Sequence, residues 1–237
     1  MGSLNGDDIT VAQLEQVGLA YGTGEEVLHE VNLTLTAGSF RFLLGPEGAG
    51  KTSLLRLLRL SLTPTTGRLR LLGQDPDRLT RDGRARLRQR LGIVFQEPRL
   101  FDGLSTFDNV ALKLKIAGVP DARLSAEVTP LLDWLGLGDV LERAPPALTP
   151  AQRQLAALAR AAVGAPALLL ADEPCTGLAP AETERALRLL LALQRRGSAV
   201  LLATREASLP AQYGLPTLLL DLGRLRPAAP AGLARAG

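Results

Sequence analysis

The eight residues Gly45-Pro-Glu-Gly-Ala-Gly-Lys51-Thr52 match the pattern G-x-x-x-x-G-K-[ST] and leave few folds open to this chain. They follow a short, mostly apolar run at 40–44. From Thr52 onward, Leu54, Leu55, Leu57 and Leu58 make an apolar stripe at helical spacing. Strand, glycine-rich turn and helix is the order in which such a loop works. The glycines let the backbone curl until successive N–H groups face one phosphate, and the helix adds the positive end of its dipole. On this reading Gly45, Pro46, Glu47, Gly48, Ala49, Gly50 and Ser53 surround a nucleotide phosphate. Lys51 balances the β- and γ-phosphates, and the Thr52 hydroxyl is a ligand for Mg2+. Lys51 is one of only three lysines, with Lys113 and Lys115, in a chain whose other cations are arginines.

The rest of the pattern supplies a sheet for the loop. Val31, Leu33 and Leu35 alternate with polar residues, the mark of a half-buried strand. Further strands are predicted at 69–72, 93–95, 168–171, 199–203 and 218–220, and helices at 152–162 and 181–195. Strands alternating with helices argue for an α/β core with a mainly parallel sheet. Between 97 and 147 strand signals vanish and helical patterns dominate, at 107–117 and 124–135, so this segment reads as an inserted helical lobe.

Composition closes off several classes. With 46% hydrophobic residues over 237 positions, the chain can bury a sizeable core and is not disordered. Its 24 glycines follow no period, which excludes a collagen helix. A single Cys175 excludes internal disulfides and points to a reducing compartment. The most apolar stretch, 161–171, is fenced by Arg160 and Asp172 and falls short of the ~20 residues of a membrane span. The polar, acidic octet at 1–8 reads as no signal peptide, and the Ala/Pro-rich tail after Arg226 as low complexity. The net charge of +3 says little about partners. The one basic cluster, Arg78, Arg81, Arg84, Arg86, Arg88 and Arg90, reads as a solvated helix face, because it lacks aromatics on which bases would stack; no nucleic-acid partner is expected.

Leu168-Leu-Leu-Ala-Asp172-Glu173-Pro174 carries the second half of the chemistry. A buried strand ending in two carboxylates is costly unless they serve a metal or a reaction. Asp172 is assigned to Mg2+, and Glu173 to polarising the attacking water. Gln96, closing the strand at 93–95, completes the metal and water shell in this reading.

Phosphate loop, strand-Gln96, helical insertion and Asp172-Glu173, in that order, resemble the ATP-binding cassette (ABC) superfamily over nearly the whole chain. Within it the chain is most similar to the FtsE group of cell-division ATP-binding proteins, through Phe42-Leu-Leu-Gly-Pro-Glu-Gly-Ala-Gly-Lys-Thr, Gly92-Ile-Val-Phe-Gln-Glu-Pro-Arg-Leu, Thr106-Phe-Asp-Asn-Val-Ala-Leu and 167–174. The resemblance implies an ABC-type nucleotide-binding domain: a mainly parallel sheet core, an antiparallel β subdomain and an inserted helical lobe. One domain over 1–237 is expected, with 1–96 and 148–237 as the α/β core and 97–147 as the lobe. It further implies a homodimer that sandwiches two ATP molecules. That dimer would work with an FtsX-like integral membrane protein and sit on the inner face of the cell membrane through it. Tyr21 falls where the family stacks an aromatic on adenine. The groove beside Gln96, with Arg99, Leu100 and Phe101, falls where the family receives its membrane partner.

The departures from the family pattern are specific. Its Leu-Ser-Gly-Gly signature, which faces the partner's γ-phosphate, reads Leu148-Thr149-Pro150-Ala151. Thr149 keeps a hydroxyl and is a good N-cap, while Pro150 suits a first helical position but has no N–H to give. The loop after Glu173, where the family carries an aspartate, ends in Ala179, and the family's switch histidine is replaced by Arg205. His29, the only histidine, lies far upstream and is expected in a surface turn. Glu47 stands where Ser or Asn is usual. Arg205 can point at the γ-phosphate, pair with Glu47, or lie solvated beside Glu206. Three functions follow: a slow ATPase with Glu173 as base in an FtsEX-like complex, an ATP-gated clamp that turns over little or nothing, or the ATPase subunit of another ABC transporter.

Overall fold

The computed structural model describes residues 9–22 and 24–228; the acidic octet at 1–8 and most of the Ala/Pro-rich tail lie outside them. Three apolar runs form its centre: β3 (Phe40–Leu44), β6 (Leu168–Asp172) and β7 (Ala199–Thr204). Because successive side chains of a strand point to opposite faces, each run feeds two cores at once. Phe40, Phe42, Leu169, Ala171, Val200 and Leu202 join one buried cluster, while Leu43, Leu168, Leu170, Ala199, Leu201 and Ala203 join the other. The complete sheet has six strands in the order β5-β6-β7-β3-β8-β9, with β5 at Leu91–Val94, β8 at Thr217–Asp221 and β9 at Arg224–Pro227. All neighbours are parallel except β8 with β9.

A second sheet, order β2-β1-β4, is antiparallel and joins β1 (Thr10–Ala20), β2 (Glu26–Thr36) and β4 (Thr66–Leu71). Its β1 is absent from the periodicity reading for a physical reason. The register shifts between Leu14 and Val17, Gln16 takes a φ of 49°, and the alternation of buried positions breaks there. His29 lies within β2 rather than in a surface turn, with Nδ1 3.0 Å from Glu26 Oε2. That corrects its expected place, because the strand begins five residues before the clean alternation at Val31.

Among the described residues no strand falls between β5 and β6. The chain there forms α3 (Thr106–Ile116), α4 (Asp121–Trp134), two short 3-10 turns and α5 (Pro150–Ala162). Val110, Leu114, Val128 and Leu132 of α3 and α4 share one buried cluster with Leu155 and Leu158 of α5 and with Leu169 and Leu202 of the sheet. The helical segment is therefore packed onto the sheet's own core. Of the remaining helices, α1 (Lys51–Leu58) follows the phosphate loop, α2 (Arg81–Gln89) carries most of the arginine cluster, and α6 (Pro180–Arg195) precedes β7. On α2, Arg84 Nη2 lies 2.7 Å from Asp77 Oδ1, and Arg88 Nη2 donates to the Leu60 carbonyl at 2.7 Å, so part of that cluster ties the fold together.

Candidate nucleotide site

Strand register brings the predicted residues to one place. Leu44 of β3 pairs with Thr204 of β7, and Asp172 of β6 pairs with Ala203, so the carboxyl ends of the three strands finish flush. Glu173 N–H donates to the Ala203 carbonyl at 2.9 Å. Gly45, Glu173 and Arg205 thus leave the sheet at one level, at the strand ends where open α/β sheets bind their ligands. A cleft of about 190 Å3 opens there, lined by the loop from Pro46 to Ser53, by Gln96, Asp172, Glu173 and Arg205, and by Val27.

The loop has an open end. Gly50, the N-cap residue of α1, takes a φ of 101° that disfavours any side chain, and it has no side chain with which to cap. No acid occupies the first turn. Among the described residues the N–H groups of Gly48, Gly50, Lys51 and Thr52 find no protein acceptor, and a Cβ placed on Gly48 would meet open space. Lys51, buried, turns Nζ back onto the carbonyls of Gly45 at 2.5 Å and Pro46 at 2.9 Å. Its burial lowers the amine's pKa against the opposing pull of Glu173 and Asp172.

Across the cleft, Thr52 Oγ1 donates to Asp172 Oδ2 at 2.9 Å. Burial pushes the Asp172 carboxyl up from its ordinary value, with the Thr52 hydroxyl and Lys51 pulling the other way. A hydroxyl and a buried carboxylate oxygen in contact, beside a row of unpaired N–H groups, fit a magnesium nucleotide. Gln96, exposed, lines both this cleft and a second cavity of about 460 Å3 next to it.

Glu173 is held unusually. Its φ of 49° lies in the left-handed region, which strains a non-glycine residue. Thr204 Oγ1 donates to Oε2 at 3.2 Å. The other oxygen, Oε1, has Arg205 Nε 3.3 Å away, in ion-pair range but out of line for a hydrogen bond, so it is buried without a donor. Arg205 Nη1 donates to Glu47 Oε2 at 3.1 Å.

Three predicted residues stand outside the cleft lining: Gly45, whose carbonyl accepts from Lys51 Nζ, Tyr21 and Thr149. Tyr21, 41% exposed, places its hydroxyl 3.0 Å from Ser53 Oγ, at the edge of the loop, with the Arg56 guanidinium 5.9 Å from its ring centre. Thr149 lines none of it. Its Oγ1 accepts from Gln152 N–H at 3.2 Å, and its own N–H donates to Gln152 Oε1 at 2.9 Å, which completes a capping box on α5 with Pro150 at the first helical position. Leu100, expected on the partner-facing groove, packs instead against the core cluster, whereas Phe101 is 55% exposed and Arg99 stacks 4.6 Å from the Phe95 ring centre.

Three residues escaped the sequence reading: Val27, which lines the cleft, Thr204 behind Glu173, and Asn109, which lies outside the cleft. Thr204 supplies a donor to Glu173; it was visible only as the residue before Arg205. Asn109, fully buried on α3, donates to the carbonyls of Phe101 (3.0 Å), Leu104 (3.2 Å) and Ser105 (3.0 Å), and its Oδ1 accepts from Phe101 N–H at 2.7 Å. An asparagine inside an apolar helix stripe was the available signal.

A parallel sheet flanked by helices, with a glycine-rich loop and an acidic strand end sharing one cleft, defines a phosphate-loop nucleoside-triphosphatase fold. A family model described as ABC transporter matches residues 28–176. The chain belongs to that family, as an ATP-binding domain. Among its relatives, the methionine import ATP-binding protein MetN of Ralstonia nicotianae is 34% identical over 207 residues, covering 87% of this chain and 59% of the relative. The cell division ATP-binding protein FtsE of Mycobacterium tuberculosis is 35% identical over 198 residues, covering 84% of this chain and 86% of the relative. Among solved structures, the dimeric bacterial ABC transporter cassette MJ0796 superposes with a TM-score of 0.86 at 27% identity, covering 94% of this chain and 100% of that one. The chain spans 57% to 59% of the length of three MetN relatives. The MetN relatives are 34% to 41% identical and the FtsE relative 35%, so the similarity reaches the family without singling out the cell-division group.

Proposed function

We propose that this chain binds ATP with Mg2+ in the cleft and hydrolyses it slowly, as one of two copies that together drive a membrane partner. The observation that carries the reading is Glu173 Oε1: a buried carboxylate oxygen with no hydrogen-bond donor, opening on a cleft edged by the phosphate loop. In that position it accepts from a water and draws off its proton as the water oxygen attacks the γ-phosphorus, while the bond to the β,γ-bridging oxygen breaks and ADP leaves. The loop N–H groups and Lys51 orient the phosphates, with Lys51 exchanging its two loop carbonyls for phosphate oxygens. Thr204 fixes the carboxylate's other oxygen. Mg2+, when bound by Thr52 and Asp172 with Gln96 at the rim, supplies charge neutralisation for the β- and γ-phosphates. Tyr21 supports the adenine by stacking. The chain acts as a single domain, with 1–96 and 148–237 as the catalytic core and 97–147 as the lobe that meets the partner.

The partner surface is an apolar groove of about 390 Å3 beside Gln96, walled by Ile93, Phe95, Phe101, Leu112 and Ile116. Among the described residues no helix is long and apolar enough to cross a membrane, and the docked partner would place the chain on the cytoplasmic face. An FtsX-like integral membrane protein is the partner proposed, on the strength of the segment similarities to FtsE. A methionine-import permease is the alternative that the MetN relatives suggest. A phosphate-release assay with each membrane protein, reconstituted in vesicles, tests the assignment: stimulation by the FtsX-like partner is expected, and stimulation only by the methionine permease would refute it.

A second reading, an ATP-gated clamp without turnover, is favoured by α5. The Thr149 N–H is spent on its own cap, its hydroxyl oxygen already accepts from Gln152 N–H, and Pro150 has no N–H, so the start of α5 keeps only the Thr149 O–H and the Ala151 N–H to offer a partner copy's γ-phosphate. The same assay decides it: no phosphate release with any partner, together with ATP-dependent dimerisation, would establish the clamp.

A further inference from the structure

One guanidinium at the mouth of the cleft is shared by two carboxylates from different elements. Arg205 reaches Glu47, on the phosphate loop, through Nη1, and it reaches Glu173, at the end of β6, through Nε. The arms are unequal. The Glu47 side chain is 88% exposed, so water competes for that pair and it holds weakly. The Glu173 side chain is 9% exposed, and Arg205 is the cation nearest an oxygen that has no other partner. A buried carboxylate left alone in this way is expensive. Thr204, the preceding residue, occupies the other oxygen, so both oxygens of Glu173 answer to consecutive residues leaving β7.

We infer that Glu47 and Glu173 hold Arg205 as a latch across the cleft, closed until a terminal phosphate enters between them and opened by a nucleoside triphosphate but not by a diphosphate. The inference rests on the nucleotide-site reading above and adds a selectivity to it. All three side chains line the same cleft as Lys51, so a γ-phosphate must enter a space bordered by Glu47 and Glu173 in addition to Asp172, the residue assigned to Mg2+. Unscreened, those carboxylates repel it. Arg205 is the group placed to screen them, and a multiply charged phosphate offers its planar fork a stronger partner than either acid. Once the guanidinium turns to the phosphate, Glu173 Oε1 loses its cation and is free to accept from water. Arg205 therefore acts through Glu173 as a positioning residue. A diphosphate, one phosphoryl group shorter, leaves the guanidinium on its two acids.

Calorimetric titration of the full chain with Mg-ADP and with the Mg complex of a non-hydrolysable β,γ-imido triphosphate tests the latch. Arg205→Ala should weaken the triphosphate about tenfold and leave ADP within about twofold, a coupling within the usual range for facing charged groups. Glu47→Gln should tighten the triphosphate about threefold, and by a larger factor when combined with Arg205→Ala, where the carboxylate is no longer screened. Arg205→Lys, which keeps the charge without the fork, should fall between wild type and Arg205→Ala. A merely structural arginine would weaken both nucleotides alike. Equal losses for the two nucleotides in Arg205→Ala, or a Glu47→Gln effect independent of what stands at 205, would overturn the latch. Absence of ADP binding to the wild-type chain would overturn the nucleotide site itself, so the two failures are distinguishable.

Discussion

Helices α1 and α5 begin in opposite ways. At α1 the N-cap is a glycine in a left-handed conformation, no side chain caps the helix, and N–H groups at its start are left without partners. At α5 a threonine and a glutamine satisfy each other's backbone, and a proline removes the N–H next in line. Every helix start leaves four donors without intrahelical partners, and what satisfies them decides the role of that end. Left open, they make an anion seat; closed by the helix's own residues, they make a stable helix. The resemblance to the ABC family implies that both ends belong to one composite nucleotide site; in this chain the first is open, and the second keeps only the Thr149 O–H and the Ala151 N–H.

The sharpest way to break that contrast is at the base. Glu173→Gln should leave nucleotide binding intact and lower turnover by roughly 10²–10⁴-fold, measured as phosphate release with the membrane partner present. An unchanged rate would remove Glu173 from the chemistry. Next in size, Lys51→Ala should weaken Mg-ATP by about a hundredfold, because no other cation in the loop balances the phosphates; near-wild-type affinity by calorimetry would show that the open end is not the seat. Changes at the closed end should be smaller and of another kind. Thr149→Ala should cost about 1 kcal/mol of unfolding free energy in a denaturant titration and leave the isolated chain's ATP affinity unchanged. If it instead lowered affinity without lowering stability, the Thr149 cap would be a ligand site after all. Smallest, Pro150→Gly should return one N–H to the start of α5 and tighten ATP-dependent dimerisation a few-fold, about 0.5–1 kcal/mol. No change by sedimentation would show that the donor lost at Pro150 is not what limits that end.

The sequence made the open end more legible than the closed one. Gly45–Thr52, the apolar runs of β3, β6 and β7, and the acids after β6 announce themselves locally, since period, spacing and residue type all lie within a few positions. What a linear reading misses depends on contact between distant segments. Strand β1 hid because a bulge at Gln16 breaks its alternation. Leu100 looked like a groove residue but packs inward, which only the placement of α3 against the sheet decides. The cap on α5 was legible as an N-cap threonine. That Gln152 answers it, spending the Thr149 N–H as well, became visible only with the side chains in place. Arg205 was recognisable as a replacement, whereas its division between two acids follows from the flush ends of β6 and β7 and the neighbouring loop.

Asn109 gives the exposed Phe101 a property of its own. One buried side chain, its two amide hydrogens shared among three carbonyls and its Oδ1 accepting from Phe101 N–H, fixes the backbone between Phe101 and Ser105. A loop presenting a bare aromatic ring would ordinarily sample many conformations, and ordering it on contact would subtract from any binding free energy. Here that entropy is surrendered once, when the chain folds. Whatever meets Phe101 finds the backbone that carries the ring already in position, so only the side chain's own rotation remains to be ordered on contact.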